Sequence, residues 1–246
     1  AEAYLVRIVT RLCLDRLKSA RARREIYVGP WLPEPVLDAE ALSPQTQTEL
    51  SDDLSFALLL ALERLSPLER AAFLLHDVFD APFSEVAQTL ERSEAACRQL
   101  AARARKAVRA ARPAKAPTAE HERLLAAFAS AAASGDLTAL KALLSEDVDT
   151  LSDGGGRRSA ALNPIRGAER NARFFAGLAR KLAAQNTPFH AEMAIINGAP
   201  GLLVYVEGVL DQAQLIAVER GRIAALYIVR NPDKLALLRL APVSAR

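Results

Sequence analysis

The sequence predicts a two-domain chain in which an all-α unit with a helix-turn-helix precedes an α+β domain. Residues 83–108 read as two helices joined by a tight turn. An Ala/Pro-rich stretch, AARPAKAPT, follows them and marks a domain boundary. Beyond it, helical periodicity gives way to short apolar segments separated by turn residues, which is typical of β-strands.

Composition limits the class of protein. The chain has 246 residues, 51% of them hydrophobic, which is enough to fill one large core or two modest ones. The longest uncharged runs fall short of the roughly 20 residues that a membrane-spanning helix needs, and no signal peptide is visible. The two cysteines and three histidines show no metal-ligand spacing. We therefore expect a cytoplasmic protein with reduced thiols and with no metal, cofactor or membrane contact.

Charge is distributed unevenly along the chain. Residues 1–24 hold seven Lys/Arg against two acids, residues 34–85 hold two against eleven, and residues 92–115 hold eight against one. Basic helices are natural phosphate contacts, because binding releases counterions from the nucleic acid. Two basic segments, one of them in the helix-turn-helix, favour nucleic acid as a partner over ordinary solvated helix faces.

The segment 83–108 has the features of a DNA-reading unit. Its first helix is predicted over Phe83–Leu90, and its second follows Ser93, a favourable N-cap, with Glu94 in the first turn. The apolar stripe of the second helix consists of Ala96, Leu100, Ala104 and Val108. Such a helix can lie in the DNA major groove with its N-terminal residues at base edges. The alternative is a plain helical hairpin, since Glu91 and Arg92 occupy turn positions where Gly and an aliphatic residue are usual.

The segments before this unit have distinct roles. Residues 1–25 read as one amphipathic helix whose partners we expect upstream, so the chain is interpreted as truncated at the N-terminus. Residues 26–51 form a linker with a rigid Trp-Leu-Pro-Glu-Pro centre, because each Pro also restrains the residue before it. Residues 52–110 form the helical unit, with helices over 52–65 and 67–79 before the helix-turn-helix. Ser66-Pro67-Leu68-Glu69 is a helix start signal within it.

Residues 119–246, after a linker at 111–118, form the α+β domain. Helices are predicted over 120–133, 137–144, 168–183 and 233–238, and strands over 147–152, 189–196, 202–209, 213–219 and 222–229. A turn, Asp153-Gly154-Gly155-Gly156, ends the first strand, and Asn231-Pro232 caps the last helix. Helices followed by a meander of strands imply a curved antiparallel sheet around a helix.

These residues resemble bacterial extracytoplasmic-function (ECF) sigma factors. Tyr4–Arg24 resembles their promoter-melting helix, the last helix of sigma region 2, and Leu62–Val108 resembles region 4, which reads the upstream promoter element. Residues 120–238 resemble a SnoaL-like domain, a cone-shaped α+β fold. One subgroup of these sigma factors carries such a cone with three short motifs.

All three motifs are present here: Trp31-Leu32-Pro33-Glu34-Pro35, Asp153-Gly154-Gly155-Gly156 and Asn231-Pro232-Asp233-Lys234-Leu235. The sequence departs from the subgroup at Arg157, where Lys often follows the glycines. The resemblance implies that these fourteen residues make an inter-domain, regulatory contact.

The resemblance also implies a function. It predicts promoter recognition and transcription initiation with the RNA polymerase core, regulated in cis by an intramolecular contact between the cone and the sigma regions. The residues expected to bind promoter DNA are Arg21, Arg23, Arg24, Ser93, Glu94, Arg98, Gln99, Arg103 and Arg105. Within this set, Arg103 and Arg105 are expected at phosphates, which position the protein without specifying sequence.

Two other functions stay open from the sequence alone. One is a ligand-responsive DNA-binding regulator that works without polymerase, and the other is a SnoaL-type isomerase or hydrolase. His190, Tyr205, Glu207 and Asp153 are ionisable or polar residues of the cone, but no spacing makes them an acid–base pair. Fold analogy alone does not establish function, so we assign no catalytic residue.

Overall fold

The computed structural model describes residues 2–24, 27–37, 56–111, 117–236 and 238. The chain forms two compact units, one from Ala1–Ile26 and Ala57–Arg112 and the other from Tyr27–Phe56 and Pro113–Arg246. Most of the predicted linkers, at 38–51 and 112–116, lie outside the described residues. Within the described part of the chain, none of the helices has the length and apolar character needed to cross a membrane.

The first unit is helical. Its described elements are α1 (Glu2–Arg24), α2 (Phe56–Arg64), α3 (Pro67–Phe73), a π-helical turn (Leu74–Val78), α4 (Phe83–Leu90) and α5 (Glu94–Ala111). Helix α3 starts at the predicted capping box: the Ser66 hydroxyl accepts from the Glu69 amide at 3.4 Å, and the Glu69 carboxylate accepts from the Ser66 amide at 3.1 Å.

The helix predicted over 67–79 is not one regular α-helix. At Leu74 it changes to π-helical geometry, which holds one extra residue per turn. The change coincides with tertiary contacts of His76, whose Nδ1 lies 2.9 Å from the Ala81 carbonyl oxygen and whose ring packs 3.9 Å from the Phe83 ring. The spacing of apolar residues in the sequence does not reveal these contacts.

Helices α4 and α5 form the predicted helix-turn-helix. Val86 and Leu90 of α4 share a buried cluster with Cys97, Leu100 and Ala101 of α5. Ala104 and Val108 of α5 belong to a second buried cluster with Leu58 and Ala61 of α2. The predicted apolar stripe of α5 included Ala96, but Ala96 is only half-buried. The buried residue at this level of the helix is Cys97. Glu91 ends α4 in the left-handed conformation, with φ +55° and ψ +48°.

Helix α1 packs on this unit near its middle. Leu14 joins the buried cluster that α3, α4 and α5 form. The apolar residues of its N-terminal half remain largely exposed: Leu5 is 60% and Leu12 is 65% accessible. One helix thus combines a docked segment with an uncovered apolar stripe.

The second unit is the predicted cone. Its elements are α6 (Thr118–Ser134), α7 (Leu137–Leu143), β1 (Leu144–Asp153), β2 (Ile165–Arg166), α8 (Ala168–Ala184), β3 (Phe189–Ile196), β4 (Ala199–Val206), β5 (Val209–Glu219), β6 (Arg222–Val229) and α9 (Pro232–Leu235). The sheet has the strand order β2-β1-β6-β5-β4-β3. Its pairs are antiparallel except β1 with β6, which run parallel.

One face of this sheet packs against α6 and α8. Phe128 of α6 and Phe175 of α8 meet edge to face, with ring centroids 4.9 Å apart, above strand residues such as Val148 and Leu226. Register shifts after Val204 and after Ala217 mark bulges, which bend a sheet and increase its twist. The bulges therefore account for the curvature around the helices.

Strand boundaries differ from the prediction where turns were misplaced. Strand β4 begins and ends three residues earlier than predicted because two-residue turns, Asn197-Gly198 and Glu207-Gly208, fix both ends. Strand β1 is longer than predicted, and the two-residue strand β2 was not predicted at all. Helix α9 is also shorter than predicted and ends at Leu235.

The capping box gives a stability prediction. We expect Ser66→Ala to destabilise the helical unit by about 1 kcal/mol, because the first turn of α3 loses its side-chain acceptor. The measurement is residue-resolved hydrogen exchange on the full chain: core amides of α3 and α5 should exchange about fivefold faster, and cone amides should not change. Ser84→Ala, an exposed change in α4, is the matched control. Unchanged exchange in α3 would contradict the capping role.

Candidate functional site

Asp153 is the point at which the three motifs meet. It ends β1, and its side chain is fully buried. Oδ2 accepts from the Leu32 amide at 2.9 Å and from Lys234 Nζ at 2.8 Å. Oδ1 accepts from the Tyr27 hydroxyl at 2.6 Å and from the Gly155 amide at 3.0 Å. The carboxylate thus joins the linker, the glycine turn and α9.

Lys234 completes the site from α9. Its ammonium also donates to the Leu32 carbonyl oxygen, and it lies 3.9 Å from the centroid of the Trp31 ring. A cation against an indole face is a favourable cation–π arrangement. Lys234 therefore holds the linker by charge, by a backbone hydrogen bond and by an aromatic contact.

Close packing requires glycine at two positions of the second motif. Gly155 has φ +61°, and a Cβ there would lie 2.4 Å from Nδ2 of Asn231. A Cβ on Gly154 would lie 2.2 Å from the Arg158 carbonyl oxygen. A side chain at Gly155 would thus collide with Asn231 of the third motif, and one at Gly154 would collide with the turn itself.

Asn231 and Tyr27 close the hydrogen-bonded ring. Asn231 Oδ1 accepts from the Asp233 amide at 3.1 Å, which caps α9, and Nδ2 donates to the Tyr27 hydroxyl at 2.9 Å. Burial raises the pKa of Tyr27, and its hydrogen bond to Asp153 raises that pKa further, so the phenol stays protonated. Tyr27 was not among the predicted site residues, since it lies before the Trp-Leu-Pro-Glu-Pro motif and no pattern marks it.

The remaining motif residues divide into buried and exposed groups. Leu32, Pro33, Pro35 and Leu235 are buried. Glu34 and Asp233 are exposed, and Asp233 pairs with Arg157 at 2.5 Å. The buried group holds the linker on the cone, whereas the exposed group contributes surface charge. Arg157, which departs from the subgroup pattern, thereby ties the glycine turn to α9.

The N-terminal end of α5 presents the residues predicted to read bases. Ser93 caps the helix by accepting from the Ala96 amide at 3.2 Å. Arg98 pairs with Glu94 at 2.6 Å, and its guanidinium lies 5.2 Å from the centroid of the Phe83 ring. Gln99 is exposed beside it. The Phe83 contact and the Glu94 pair hold Arg98 at the N-terminal end of α5.

Arg103 and Arg105 are engaged within the unit. Arg103 pairs with Glu69 at 2.7 Å and Arg105 with Asp77 at 2.6 Å, which ties α5 to α3 and the π-helical turn. The Arg103 hydrogen bond is the main cause of the lowered pKa of Glu69, and the Ser66 hydroxyl lowers that pKa further. Each arginine would have to share or exchange its partner to contact a phosphate.

Glu91 connects the helix-turn-helix to α1. Its carboxylate accepts from Arg7 at 2.9 Å and from Arg11 at 2.5 Å. These arginines lower the pKa of the Glu91 carboxyl. The residue that replaces the usual turn glycine thus adopts a left-handed backbone and binds a basic helix. The side chains of Arg21, Arg23 and Arg24, predicted to bind DNA, lie outside the described part of α1.

Two of the ionisable residues noted in the cone, His190 and Tyr205, are cross-strand neighbours. His190 and Tyr205 face each other across β3 and β4 with stacked rings 4.8 Å apart, and Glu192 lies 3.3 Å from His190. His190 is 55% exposed at its side chain. The Asp153 carboxylate is hydrogen-bonded to the linker. His190, Tyr205 and Glu192 therefore form a cluster across two neighbouring strands.

Known proteins share this architecture. Residues 55–108 match the family model "Sigma-70, region 4". The ECF RNA polymerase sigma factor SigJ of Mycobacterium tuberculosis (strain ATCC 25618 / H37Rv) is 41% identical over 246 residues, covering 94% of this chain and 77% of SigJ. The chain belongs to the ECF RNA polymerase sigma factors. The family expected from the motifs is therefore confirmed.

Two further comparisons agree with this assignment. The probable ECF RNA polymerase sigma factor SigI of M. tuberculosis (strain CDC 1551 / Oshkosh) is 31% identical over 243 residues, covering 96% of this chain and 79% of SigI. The crystal structure of SigJ aligns with 98% of this chain and 83% of its own, with a TM-score of 0.72 and 36% identity. The predicted fold class, a region 4 helix-turn-helix followed by a SnoaL-like cone, is confirmed. These relatives are sigma factors rather than enzymes.

The buried pair gives the next prediction. Lys234→Met leaves the Asp153 carboxylate buried without its cation, and we expect a loss of about 3–5 kcal/mol in the stability of the cone with its linker. Urea unfolding of the full chain, followed by Trp31 fluorescence, measures this loss, because Trp31 is the only tryptophan.

The double variant Asp153→Asn/Lys234→Met is the control for that experiment. It removes both charges, so we expect it to be clearly more stable than Lys234→Met alone. The single variant Asp153→Asn completes the cycle. If Lys234→Met costs as much stability in the Asp153→Asn background as in the wild type, Asp153 and Lys234 do not interact.

Proposed function

We propose that this ECF sigma factor directs initiation by binding promoter DNA and the RNA polymerase core, and that its cone regulates initiation by holding the linker Tyr27–Leu37. The observation that carries the second part is the hydrogen bonding around Asp153. Two atoms of Leu32, its amide and its carbonyl oxygen, are bound by Asp153 and Lys234 of the cone. The cone therefore holds the linker backbone itself as well as its side chains.

The contact could regulate initiation because of where the linker lies in the chain. The linker is the covalent connection between α1, which resembles the promoter-melting helix, and α2, which begins region 4. Only residues 38–55 separate Leu37 from α2. A cone that binds Tyr27–Leu37 restricts the freedom of the two sigma segments to move apart, whereas a cone that releases the segment returns that freedom.

The proposed DNA contacts follow from exposure and from pairing. Ser93, Glu94, Arg98 and Gln99 lie at the exposed N-terminal end of α5, and a bidentate contact from Arg98 or Gln99 to a base edge would discriminate by about 1–3 kcal/mol. Arg103 and Arg105 contribute phosphate contacts only after exchanging their acidic partners. The proposal that Arg21, Arg23 and Arg24 bind backbone near the melted element rests on the resemblance alone.

The DNA proposal predicts different behaviour for two arginines. Arg98→Ala should weaken binding to the specific promoter by about 1–3 kcal/mol and leave binding to random DNA nearly unchanged. Arg105→Ala should weaken both alike and reduce the salt dependence. Both are measured in the reconstituted holoenzyme at two salt concentrations. Equal losses of Arg98→Ala on specific and random DNA would remove Arg98 from the base-reading residues.

Asp77→Ala is the control for Arg105. It frees the guanidinium without removing it, so a phosphate contact predicts unchanged or tighter binding to both DNAs. If Asp77→Ala and Arg105→Ala weaken binding equally, the pair has only a structural role in the helical unit.

The regulatory proposal predicts that Asp153→Ala and Leu235→Ala change promoter-specific transcription by the full-length protein. The first variant loses the acceptor for Leu32, and the second removes a fully buried side chain from α9. The assay is multi-round transcription with the polymerase core. Leu140→Ala, a buried leucine elsewhere in the cone, is the matched control, because it makes a comparable cavity away from the linker.

Transcription that changes in the two site variants but not in Leu140→Ala supports regulation through the linker. Wild-type transcription in both site variants, with the cone still folded, would mean that the motifs only cap a turn and a helix.

A further inference from the structure

The cone contacts the linker at a second place through Asn197, a residue that belongs to none of the three motifs. Asn197 lies in the turn between β3 and β4 and is 2% exposed. Its Oδ1 accepts from the Val36 amide at 3.1 Å, and its Nδ2 donates to the Glu34 carbonyl oxygen at 3.4 Å. The Asn197 backbone amide donates to the Val36 carbonyl oxygen at 2.8 Å. Leu37 then forms an antiparallel bridge with Ile196.

These bonds have the pattern of strand pairing. A side-chain amide offers one donor group and one acceptor, as a peptide unit does. Asn197 therefore binds the linker backbone on both sides of Pro35, and the bridge at Ile196 continues the pairing along the free edge of β3. Recognition of backbone atoms fixes the register of the linker without selecting its side chains.

Turn formation alone does not explain the asparagine. Among the described residues, three two-residue hairpin turns of the cone have positive φ at both positions: Asn197-Gly198 (51°, 74°), Glu207-Gly208 (53°, 76°) and Arg220-Gly221 (50°, 74°). The first position thus accepts Glu and Arg as well as Asn. Glu207 and Arg220 are exposed, whereas Asn197 is buried under the linker. What distinguishes Asn197 is its contact with Glu34 and Val36.

We infer that Asn197 is a positioning residue for regulation, a second anchor that holds residues 34–37 of the linker on the cone. This inference rests on the proposed function of the linker. The first anchor is the charged site at Asp153, which binds Leu32, and the second is a neutral amide that binds Glu34 and Val36. Loss of one anchor leaves the other in place, so the linker can leave the cone in two steps.

The experiment uses Asn197→Gly in the full-length protein. Glycine adopts the same positive φ, so the turn is kept and only the side-chain hydrogen bonds are lost. Glu207→Gly and Arg220→Gly make the same change at the two equivalent turns that do not carry these linker bonds. They control for the added freedom of glycine in the unfolded chain.

Residue-resolved hydrogen exchange is the first readout. One hydrogen bond changes an opening equilibrium by roughly 2- to 12-fold. We expect the Val36 amide to exchange faster by about that factor in Asn197→Gly, while the Leu32 amide and the Trp31 emission stay as in the wild type. Both control variants should show wild-type exchange at Val36. Unchanged Val36 exchange in Asn197→Gly, or equal acceleration in the controls, would overturn the second anchor.

Promoter-specific transcription is the second readout. We expect Asn197→Gly to shift transcription in the same direction as Asp153→Ala and by a smaller factor, and the two control variants to match the wild type. Wild-type transcription in Asn197→Gly, while Asp153→Ala changes it, would overturn the regulatory role of Asn197 and leave the proposed function intact. Wild-type transcription in both would instead remove regulation through the linker altogether.

Discussion

A buried carboxylate is the constraint on which the rest of the cone surface depends. Asp153 is withdrawn from solvent at the end of β1, and an isolated charge there would be strongly unfavourable. Its compensation comes from four donors in different segments: Tyr27, Leu32, Gly155 and Lys234. Because two of the donors belong to the linker, the first strand of the cone is fully satisfied only when the linker is in place. The hydrogen bonds that the Asp153 carboxylate requires therefore also bind the linker to the cone.

The helical unit also contains ion pairs, and these lie nearer the surface. Arg98, Arg103 and Arg105 each have an acidic partner, and Glu91 gathers Arg7 and Arg11 of α1. Exposed ion pairs are weak and are screened by salt, so phosphates can compete for these arginines. The pairs around Asp153 are buried and do not exchange in that way. The proposed contacts with DNA would therefore depend strongly on salt, whereas the buried contacts with the linker would not.

Short sequence patterns predicted several of the local features that the structure contains. The capping box at Ser66 and the helix-turn-helix follow from short patterns, because each depends on residues close in sequence. The motif residues that surround Asp153 are distant from one another in sequence, and only the family resemblance named them together. The strained Glu91 was also visible as a departure from the usual turn. The parallel pairing of β1 with β6 was not predicted, because it depends on contacts between distant segments. The spacing of apolar residues over 67–79 also gave no sign of the π-helical turn at Leu74.

The site residues that the sequence did not reveal share one property. Tyr27 and Asn197 act only through partners more than a hundred residues away, Asp153 for the first and Val36 for the second. Asn197 also has a sufficient local explanation, since Asn-Gly is a strong hairpin-turn signal. Only comparison with the equivalent turns at Glu207 and Arg220 separates its tertiary role from its local one.

The most direct test of this account is the hydrogen exchange of the Leu32 amide in the free full-length protein. This amide donates to the buried Asp153 carboxylate, so its exchange requires the linker to leave the charged site. An opening that exposes or strands a buried ion pair costs about 3–5 kcal/mol, which corresponds to protection on the order of 100- to 1000-fold or more. We predict protection of that size at Leu32, comparable with the core amides of β1. Exchange at the rate of an unprotected amide would contradict the central claim that Asp153 holds the linker on the cone.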